Sequence, residues 1–225
     1  MDDALATDCA LVTTRGAKIT FQGVEVNYGA TQAVVDATLT IAPGEHVVIT
    51  GSNGSGKSSL IRSLLGLVMP TQGTVSLDDA TASSAREWQA RRRAVAYVPQ
   101  RTATGGFPLQ VSELIDSGGA PAEARRAAGQ LGIGDLLTRP IDTLSGGQLQ
   151  RAYLARALGS IACGATALVA DEPTSALDFS GQDDVARLLA DVDVTTLVVS
   201  HDAAVVRTAD RVFEMAGGRV REVDR

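Results

Sequence analysis

Residues 51–59 read GSNGSGKSS, and this stretch decides which fold the rest of the chain can adopt. It matches the pattern G-x-x-x-x-G-K-[ST], with Gly51, Gly56, Lys57 and Ser58 in the required places. An apolar run comes before it and apolar residues with helical spacing follow it, so we predict a strand, a loop and a helix. An incidental Gly/Ser turn with a lysine is the alternative, which this strand-to-helix context disfavours.

The residue types of this loop suit the phosphates of a nucleotide. Glycines let backbone N–H groups curl around phosphate oxygens, and the helix N-terminus adds partial positive charge. We expect Lys57 to bridge the β- and γ-phosphates and the Ser58 hydroxyl to bind Mg²⁺, a hard ion that prefers oxygen ligands. The predicted binding loop comprises Gly51, Ser52, Asn53, Gly54, Ser55, Gly56, Lys57, Ser58 and Ser59.

Four short apolar runs predict parallel strands that are buried on both faces. They are residues 47–49, 95–98, 167–170 and 197–199. Ligands of open α/β sheets bind at the carboxyl ends of the strands, where polar residues follow each run. Besides Gly51, these polar residues are Gln100, Asp171, Glu172 and His201.

The acidic pair at residues 171–172 complements the phosphate loop. We expect Asp171 to hold Mg²⁺ through water and Glu172 to act as general base on the attacking water. A solvated acidic turn is the alternative, which the nearby lysine disfavours. Gln100 could reach Mg²⁺ or the water, and His201 could hydrogen-bond the γ-phosphate. Each of these two is a weak signal alone, since a histidine at a strand end is often structural.

A second glycine-rich helix start occurs at residues 144–151, which read LSGGQLQR. Ser145 is in position to cap the helix, and Gly146 and Gly147 would expose the next N–H groups. The pattern predicts a second anion-binding site, or an ordinary capped helix as the alternative. The chain thus carries two such starts, far apart in sequence.

The composition limits the class of protein. The length of 225 residues and a hydrophobic share of 44% fit one domain with a sizeable core. A net charge of -6 and an aromatic share of 4% argue against a nucleic-acid partner. No apolar run approaches the roughly 20 residues that span a bilayer. Two cysteines and no secretory signal favour a reduced, cytoplasmic setting.

Beyond these runs, the chain divides into three regions. Residues 18–29 and 37–51 predict half-buried strands with a turn at Pro43-Gly44. Residues 111–133 predict two short helices inserted between sheet strands, and the end of the chain predicts two strands around Gly217-Gly218. The basic cluster at 91–93 is expected to be a solvated face before a strand.

In this order the motifs resemble those of the ATP-binding subunits of ABC transporters. They are the A-loop (Tyr28 in VNYG), the Walker A loop, the Q-loop (YVPQ), the signature LSGGQLQR, the Walker B strand ALVADE, the D-loop (SALD, 175–178) and the switch histidine (SHD). The resemblance implies an α/β fold: a P-loop NTPase core with a mainly parallel sheet, an N-terminal antiparallel β subdomain and an α-helical subdomain. It covers one ABC ATPase domain at 18–223, with the helical subdomain at about 102–158, after a tail at 1–17.

The resemblance also explains the second helix start. In that family two subunits pair head to tail, and each ATP lies between the Walker A loop of one and the signature of the other. It implies a homodimer in which the residues facing the other subunit's ATP are Ser145, Gly146, Gly147, Gln148 and Asp178. Tyr28 would stack on adenine, unless it is a core tyrosine.

The segment from residue 97 to 118 is similar to the Q-loop region of bacterial ATPases that serve zinc, manganese and iron importers. It implies import of a metal ion through a separate integral membrane permease, with a substrate-binding protein and this subunit at the cytoplasmic face of the cell membrane. A soluble ABC-type ATPase of cluster assembly or another non-transport role is one alternative. The ATPase of a small exporter is another.

Overall fold

The computed structural model describes residues 16–100 and 109–224. Its strands are β1 (Ile19–Tyr28), β2 (Thr31–Ile41), β3 (His46–Thr50), β4 (Gln72–Leu77), β5 (Ala80–Thr81), β6 (Val95–Val98), β7 (Ala167–Asp171), β8 (Thr195–Val199), β9 (Arg211–Ala216) and β10 (Arg219–Val223). Its α-helices are α1 (Lys57–Leu64), α2 (Ala85–Ala94), α3 (Val111–Asp116), α4 (Pro121–Gln130), α5 (Gly146–Ala162), α6 (Phe179–Asp191) and α7 (Ala203–Thr208).

A six-stranded sheet in the order β10-β9-β3-β8-β7-β6 forms the centre. Strands β6, β7, β8, β3 and β9 run parallel, and β10 turns back antiparallel to β9. All residues of β7 and β8 are buried. The four apolar runs are therefore parallel strands, as predicted from their composition, and the predicted C-terminal pair is β9 and β10.

Alternate residues of β3 belong to different cores. Val47 and Ile49 pack with α1 and the N-terminal strands, whereas Val48 packs with the helical region. Because side chains of a strand point alternately to opposite faces, both faces of the central sheet are covered. The polar residues that follow the strands lie at the carboxyl edge of the sheet.

The N-terminal region forms a second, antiparallel sheet in the order β2-β1-β4-β5. This confirms the predicted antiparallel pair, although β2 begins at Thr31, earlier than residue 37. Strands β4 and β5 were not predicted from the sequence. Of the predicted tail at 1–17, residues 1–15 lie outside the described part of the chain. Ala17 is buried, and its N–H donates to the Thr166 carbonyl at 2.9 Å.

Helices α3, α4 and α5 pack against one another, with Ile115, Ala128 and Leu154 among their buried residues. These include the two short predicted helices. Residues 102–108 of the predicted helical subdomain lie outside the described residues, and α5 continues past the predicted boundary at 158. Helix α5 also contacts β6 and β7, so it joins this region to the central sheet.

The prediction that residues 91–93 form a solvated face is wrong for Arg91. This side chain is buried under α2, and its guanidinium donates to the Val75 carbonyl at 2.9 Å and to the Ala80 carbonyl. Its charge lies 5.1 Å from the Trp88 ring centre, within the range of a cation–π contact. Arg91 therefore ties α2 to the N-terminal sheet, while the next two arginines are exposed.

Helix α2 starts at a capping box. Glu87 accepts hydrogen bonds from the backbone N–H groups of Ser84 and Ser83, and these lower the pKa of its carboxyl to about 2.

Within the described ranges, no helix is long and apolar enough to cross a bilayer.

Candidate functional site

The loop between β3 and α1 opens onto a cavity of about 280 Å³ at the carboxyl edge of the central sheet. We call it the first cavity. Loop residues 53–59 line it together with Ala33, Gln100, Glu172 and Val199. The structure thus brings Glu172, which follows β7, and Gln100, two residues after β6, to the loop that the sequence predicts to bind phosphate.

Two glycines allow this loop to fold tightly. Gly51 has φ 142° and Gly56 has φ 107°, values that residues with a Cβ rarely adopt. A Cβ on Gly51 would lie 2.2 Å from the Met215 carbonyl oxygen, and one on Gly56 would lie 2.1 Å from that of Ala33. The loop is therefore held close against β2 and β9, which only glycine permits.

Lys57 is buried beneath this loop. Its Nζ donates to the carbonyls of Gly51 at 2.8 Å and Ser52 at 2.9 Å, so the loop itself positions the ammonium at the cavity wall. The Ser55 hydroxyl is buried and has no hydrogen-bond partner among the described residues. A buried polar group without a partner is costly, so the loop is prepared for a polar ligand.

The end of β7 supplies a carboxylate to the same edge. Asp171 is fully buried, and Ser58 donates to its Oδ1 at 2.9 Å. Arg62 of α1 lies 3.4 Å from its Oδ2. Burial raises the pKa of the Asp171 carboxyl, while the Ser58 hydrogen bond and the charge of Arg62 act in the opposite direction. The hydroxyl and carboxylate oxygens of this pair are donors that fit Mg²⁺.

Glu172, the next residue, faces the first cavity with a buried side chain. Its φ is +51°, a left-handed value, and its N–H donates to the Val199 carbonyl at 2.8 Å. The Nδ1 of His201 lies 3.2 Å from one carboxyl oxygen of Glu172 and 3.1 Å from the other. The exposed His201 side chain therefore reaches the cavity through Glu172.

Two more predicted residues lie at the rim. Gln100 is exposed and lines the first cavity. Tyr28 is 51% exposed at the end of β1, with its hydroxyl 3.3 Å from the Ser59 hydroxyl. The alternative that Tyr28 is a core residue is wrong, since half of the side chain is open to solvent beside the loop.

The second glycine-rich start is the N-terminus of α5. The Ser145 hydroxyl accepts from the Gln148 N–H at 3.2 Å, and the Gln148 side chain accepts from the Ser145 N–H at 2.9 Å. The N–H groups of Gly146 and Gly147 take no part in this capping box. A Cβ on Gly147 would lie 2.9 Å from the Ala176 carbonyl oxygen, so this start is packed against the segment before α6.

A separate cavity of about 350 Å³ lies at this second start, and we call it the second cavity. Its lining residues are Ser145, Gly146, Gly147, Gln148, Arg151, Ala176, Leu177 and Asp178. It shares no lining residue with the first cavity. Within one chain, therefore, the structure groups the predicted site residues into two separate sites.

Sequence reasoning missed Arg62 and Ala33. Arg62 follows Lys57 by five residues on α1, and nothing in that spacing indicates contact with the end of β7. Ala33 is a small residue within β2 and carries no chemical signal. Arg151, at the end of the signature octapeptide, could have been singled out from that motif because it is charged.

Comparison with known proteins identifies the family. A family model described as ABC transporter matches residues 34–175, more than half of the chain. The hemin import ATP-binding protein of Rhodopseudomonas palustris is 41% identical over 200 residues, which cover 81% of this chain and 73% of that protein. The zinc import ATP-binding protein of Cereibacter sphaeroides is 38% identical over 196 residues, covering 84% and 74%. The methionine import ATP-binding protein of Corynebacterium glutamicum is 35% identical over 231 residues, covering 93% and 63%.

Solved structures agree. The dimeric bacterial ABC transporter cassette MJ0796 matches with a TM-score of 0.83 at 27% identity, covering 92% of this chain and 98% of that chain. A post-hydrolysis state of that cassette, bound to ADP and Pi, matches with a TM-score of 0.80 at 28% identity. The predicted α/β fold, with its P-loop core, antiparallel β subdomain and helices, is confirmed. This chain belongs to the ABC transporter family, as an ATP-binding cassette that hydrolyses ATP with Mg²⁺.

Proposed function

We propose that this chain is the ATPase subunit of an importer and drives a separate membrane permease from the cytoplasmic face of the membrane. Support comes from relatives that are named as import ATP-binding proteins and that match most of the chain. In this proposal residues 18–223 form one ATPase domain, and the helices from about 102 to 158 form its subdomain.

In the first cavity the loop would hold the triphosphate. Lys57 already lies at the cavity wall and would turn its ammonium from the loop carbonyls to the β- and γ-phosphates. Ser58, Asp171 and Gln100 would hold Mg²⁺, which neutralises phosphate charge when it is bound. Tyr28 is half exposed at the rim and would stack on adenine.

We infer that Glu172 acts on the attacking water. Its carboxylate faces the first cavity, and its left-handed backbone is held by the hydrogen bond to Val199. It would accept the proton of the attacking water, since phosphoryl transfer needs an oriented nucleophile more than covalent chemistry. His201 contacts this carboxylate and would steady it or donate to the γ-phosphate.

The separation of the two cavities is the observation that best supports a dimer. Each lies at a helix N-terminus, but Lys57 and Glu172 line the first cavity and not the second. Two chains paired head to tail would place the second cavity of one over the first cavity of the other. Ser145, Gly146, Gly147, Gln148 and Asp178 would then face ATP held by the other chain.

Glu172→Gln tests the assigned base. The amide keeps the shape of the side chain and removes its charge, so we expect ATP binding to remain and the hydrolysis rate to fall by about 10²- to 10⁴-fold. Size-exclusion chromatography with light scattering should show an ATP-bound dimer that accumulates. An unchanged turnover would remove Glu172 from the role of base.

Ser145→Arg tests the contribution of the second cavity. We expect it to abolish hydrolysis while ATP binding to the isolated chain stays intact, because Ser145 does not line the first cavity. Ser84→Arg is the matched control, since Ser84 caps α2 through the same capping-box geometry. Loss of ATP binding in Ser145→Arg, or equal loss of hydrolysis in both variants, would refute the role in trans.

For the cargo we propose a metal ion, delivered by a substrate-binding protein to the permease. The support is the similarity of residues 97–118 to metal importers and the zinc import relative. Residues 101–108 of that segment lie outside the described part of the chain. The hemin and methionine relatives show that cassettes similar to this one serve other cargoes.

Deletion of the gene tests the cargo. We expect cellular zinc, manganese or iron to fall when the metals are limiting, measured by mass spectrometry of washed cells. Metal contents that stay unchanged, with loss of hemin or methionine uptake instead, would overturn metal import. Purification of the chain from membranes with its attached permease would test the partner directly. A chain found only in the soluble fraction after the membranes are removed would contradict the proposed permease.

A further inference from the structure

Arg62 has no role in the site described so far, yet it contacts the carboxylate assigned to Mg²⁺. It lies on α1, five residues after Lys57, and its guanidinium is 3.4 Å from Oδ2 of Asp171. The other oxygen, Oδ1, accepts from Ser58 at 2.9 Å. Each oxygen of the carboxylate is thus held by a different residue of α1.

The charges around Asp171 make this contact important. The carboxylate is fully buried, and Glu172 brings a second negative charge beside it. Lys57 directs its ammonium to two loop carbonyls instead. Among the described residues, Arg62 is the ion-pair partner of Asp171. A buried carboxylate needs an opposite charge and hydrogen bonds to remain in place.

Arg62 also lies near a neighbouring strand. The phenol of Tyr97, a residue of β6 next to β7, interacts with its guanidinium, and this interaction acts to raise the pKa of Arg62. Arg156 of α5 donates to the Tyr97 carbonyl at 2.7 Å, so the backbone of this strand is fixed as well. Through its contact with Asp171, the guanidinium can restrain the direction of the carboxylate plane.

We propose that Arg62 is a positioning residue for the magnesium site, which holds Oδ2 of Asp171 so that Oδ1 faces Ser58 and the bound ion. The inference rests on Asp171 holding Mg²⁺ as proposed above. Arg62 does not line the first cavity. Replacing it should therefore change the affinity for Mg²⁺ and not the affinity for the nucleotide itself.

The test compares two dissociation constants of the full chain, one for ATP with Mg²⁺ and one for ATP with a chelator and no metal. Arg62→Met keeps much of the side-chain length without its charge. We expect it to weaken binding of Mg-ATP by about tenfold, as is usual when a residue behind a metal ligand is lost. Binding of metal-free ATP should stay at the wild-type value, and Arg62→Lys should restore most of the Mg-ATP affinity because it keeps a positive charge within reach.

Arg93→Met is the matched control, since Arg93 is an exposed arginine of α2 that is not part of the site. The inference is overturned if Mg-ATP binding of Arg62→Met lies within twofold of this control. It is also overturned if metal-free ATP binding weakens by the same factor as Mg-ATP binding. A lower unfolding temperature than that of the control would count in the same way, since Arg62 would then be a structural residue. Asp171→Asn distinguishes a failure of the Arg62 inference from a failure of the proposed magnesium site. If it too leaves Mg-ATP binding unchanged, the magnesium site is wrong, and not merely the role of Arg62.

Discussion

Gly56→Ala should disable the phosphate loop, and Gly54→Ala in the same loop should do so far less. Both glycines have positive φ, 107° and 80° respectively. A Cβ on Gly56 would lie 2.1 Å from the Ala33 carbonyl oxygen, whereas one on Gly54 would meet nothing within 4 Å. The two changes therefore share the backbone strain and differ in the steric clash.

The expected magnitudes follow from these two terms. A left-handed backbone costs a residue with a Cβ about 1–2 kcal/mol, which corresponds to roughly 5- to 30-fold in affinity. For Gly54→Ala this is the whole expected loss. In Gly56→Ala the 2.1 Å contact must also open by about 1.2–1.5 Å to reach an ordinary carbon–oxygen distance. A displacement of about 1 Å at a reacting site can cost about 100-fold in rate.

The assay is ATP hydrolysis, followed by phosphate release, together with binding of a fluorescent ATP analogue. We expect kcat/KM of Gly56→Ala to fall about 100-fold below that of Gly54→Ala. Thermal unfolding should show that both variants are folded at the assay temperature. If Gly56→Ala binds and hydrolyses ATP as well as Gly54→Ala does, the close approach of the loop to β2 does not matter for function and the reasoning is refuted.

Arg91→Met should lower the free energy of unfolding by about 1–3 kcal/mol, because a buried backbone carbonyl loses its donor; urea unfolding measures this, and a change below about 0.5 kcal/mol, the range of ordinary surface substitutions, would contradict it. His201→Ala should keep ATP binding and slow hydrolysis by about 100-fold, since it removes the group in contact with Glu172. A phosphate-release rate equal to that of the wild type would be inconsistent with this role. Gly147→Ala would push its Cβ against the Ala176 carbonyl, so hydrolysis should fall while nucleotide binding to the isolated chain is retained. Weakened binding in that variant would mean that the two cavities are not independent.

Strands buried on both faces could be predicted, because each consists of a short run of apolar residues in the sequence. Strand β4 has no such run: its first three residues are exposed and include a glycine. Helix α2 is rich in charge, and Arg91 is buried within it by contacts to strands far away in sequence. Ser84 and Glu87 have the spacing of a capping box, which could have indicated its start, although no helix was predicted there.

At the site, the residues that follow the strands could be located from the sequence, since parallel strands end at one edge. Arg62 could not, because its contact with Asp171 depends on how α1 lies across the sheet. The two glycine-rich helix starts were also visible in the sequence. That they open into cavities without a common residue is a property of the packing alone.

The separation of the two cavities has a consequence for mixtures of damaged chains. Consider one variant that lacks Lys57 and another that lacks the function of Ser145. In the proposed dimer, a homodimer of either variant is inactive. When they pair with each other, both lesions fall in the same nucleotide sandwich and the opposite sandwich is intact. Random mixing of equal amounts should therefore recover about a quarter of the working sites, a complementation that a site built within one chain could never show.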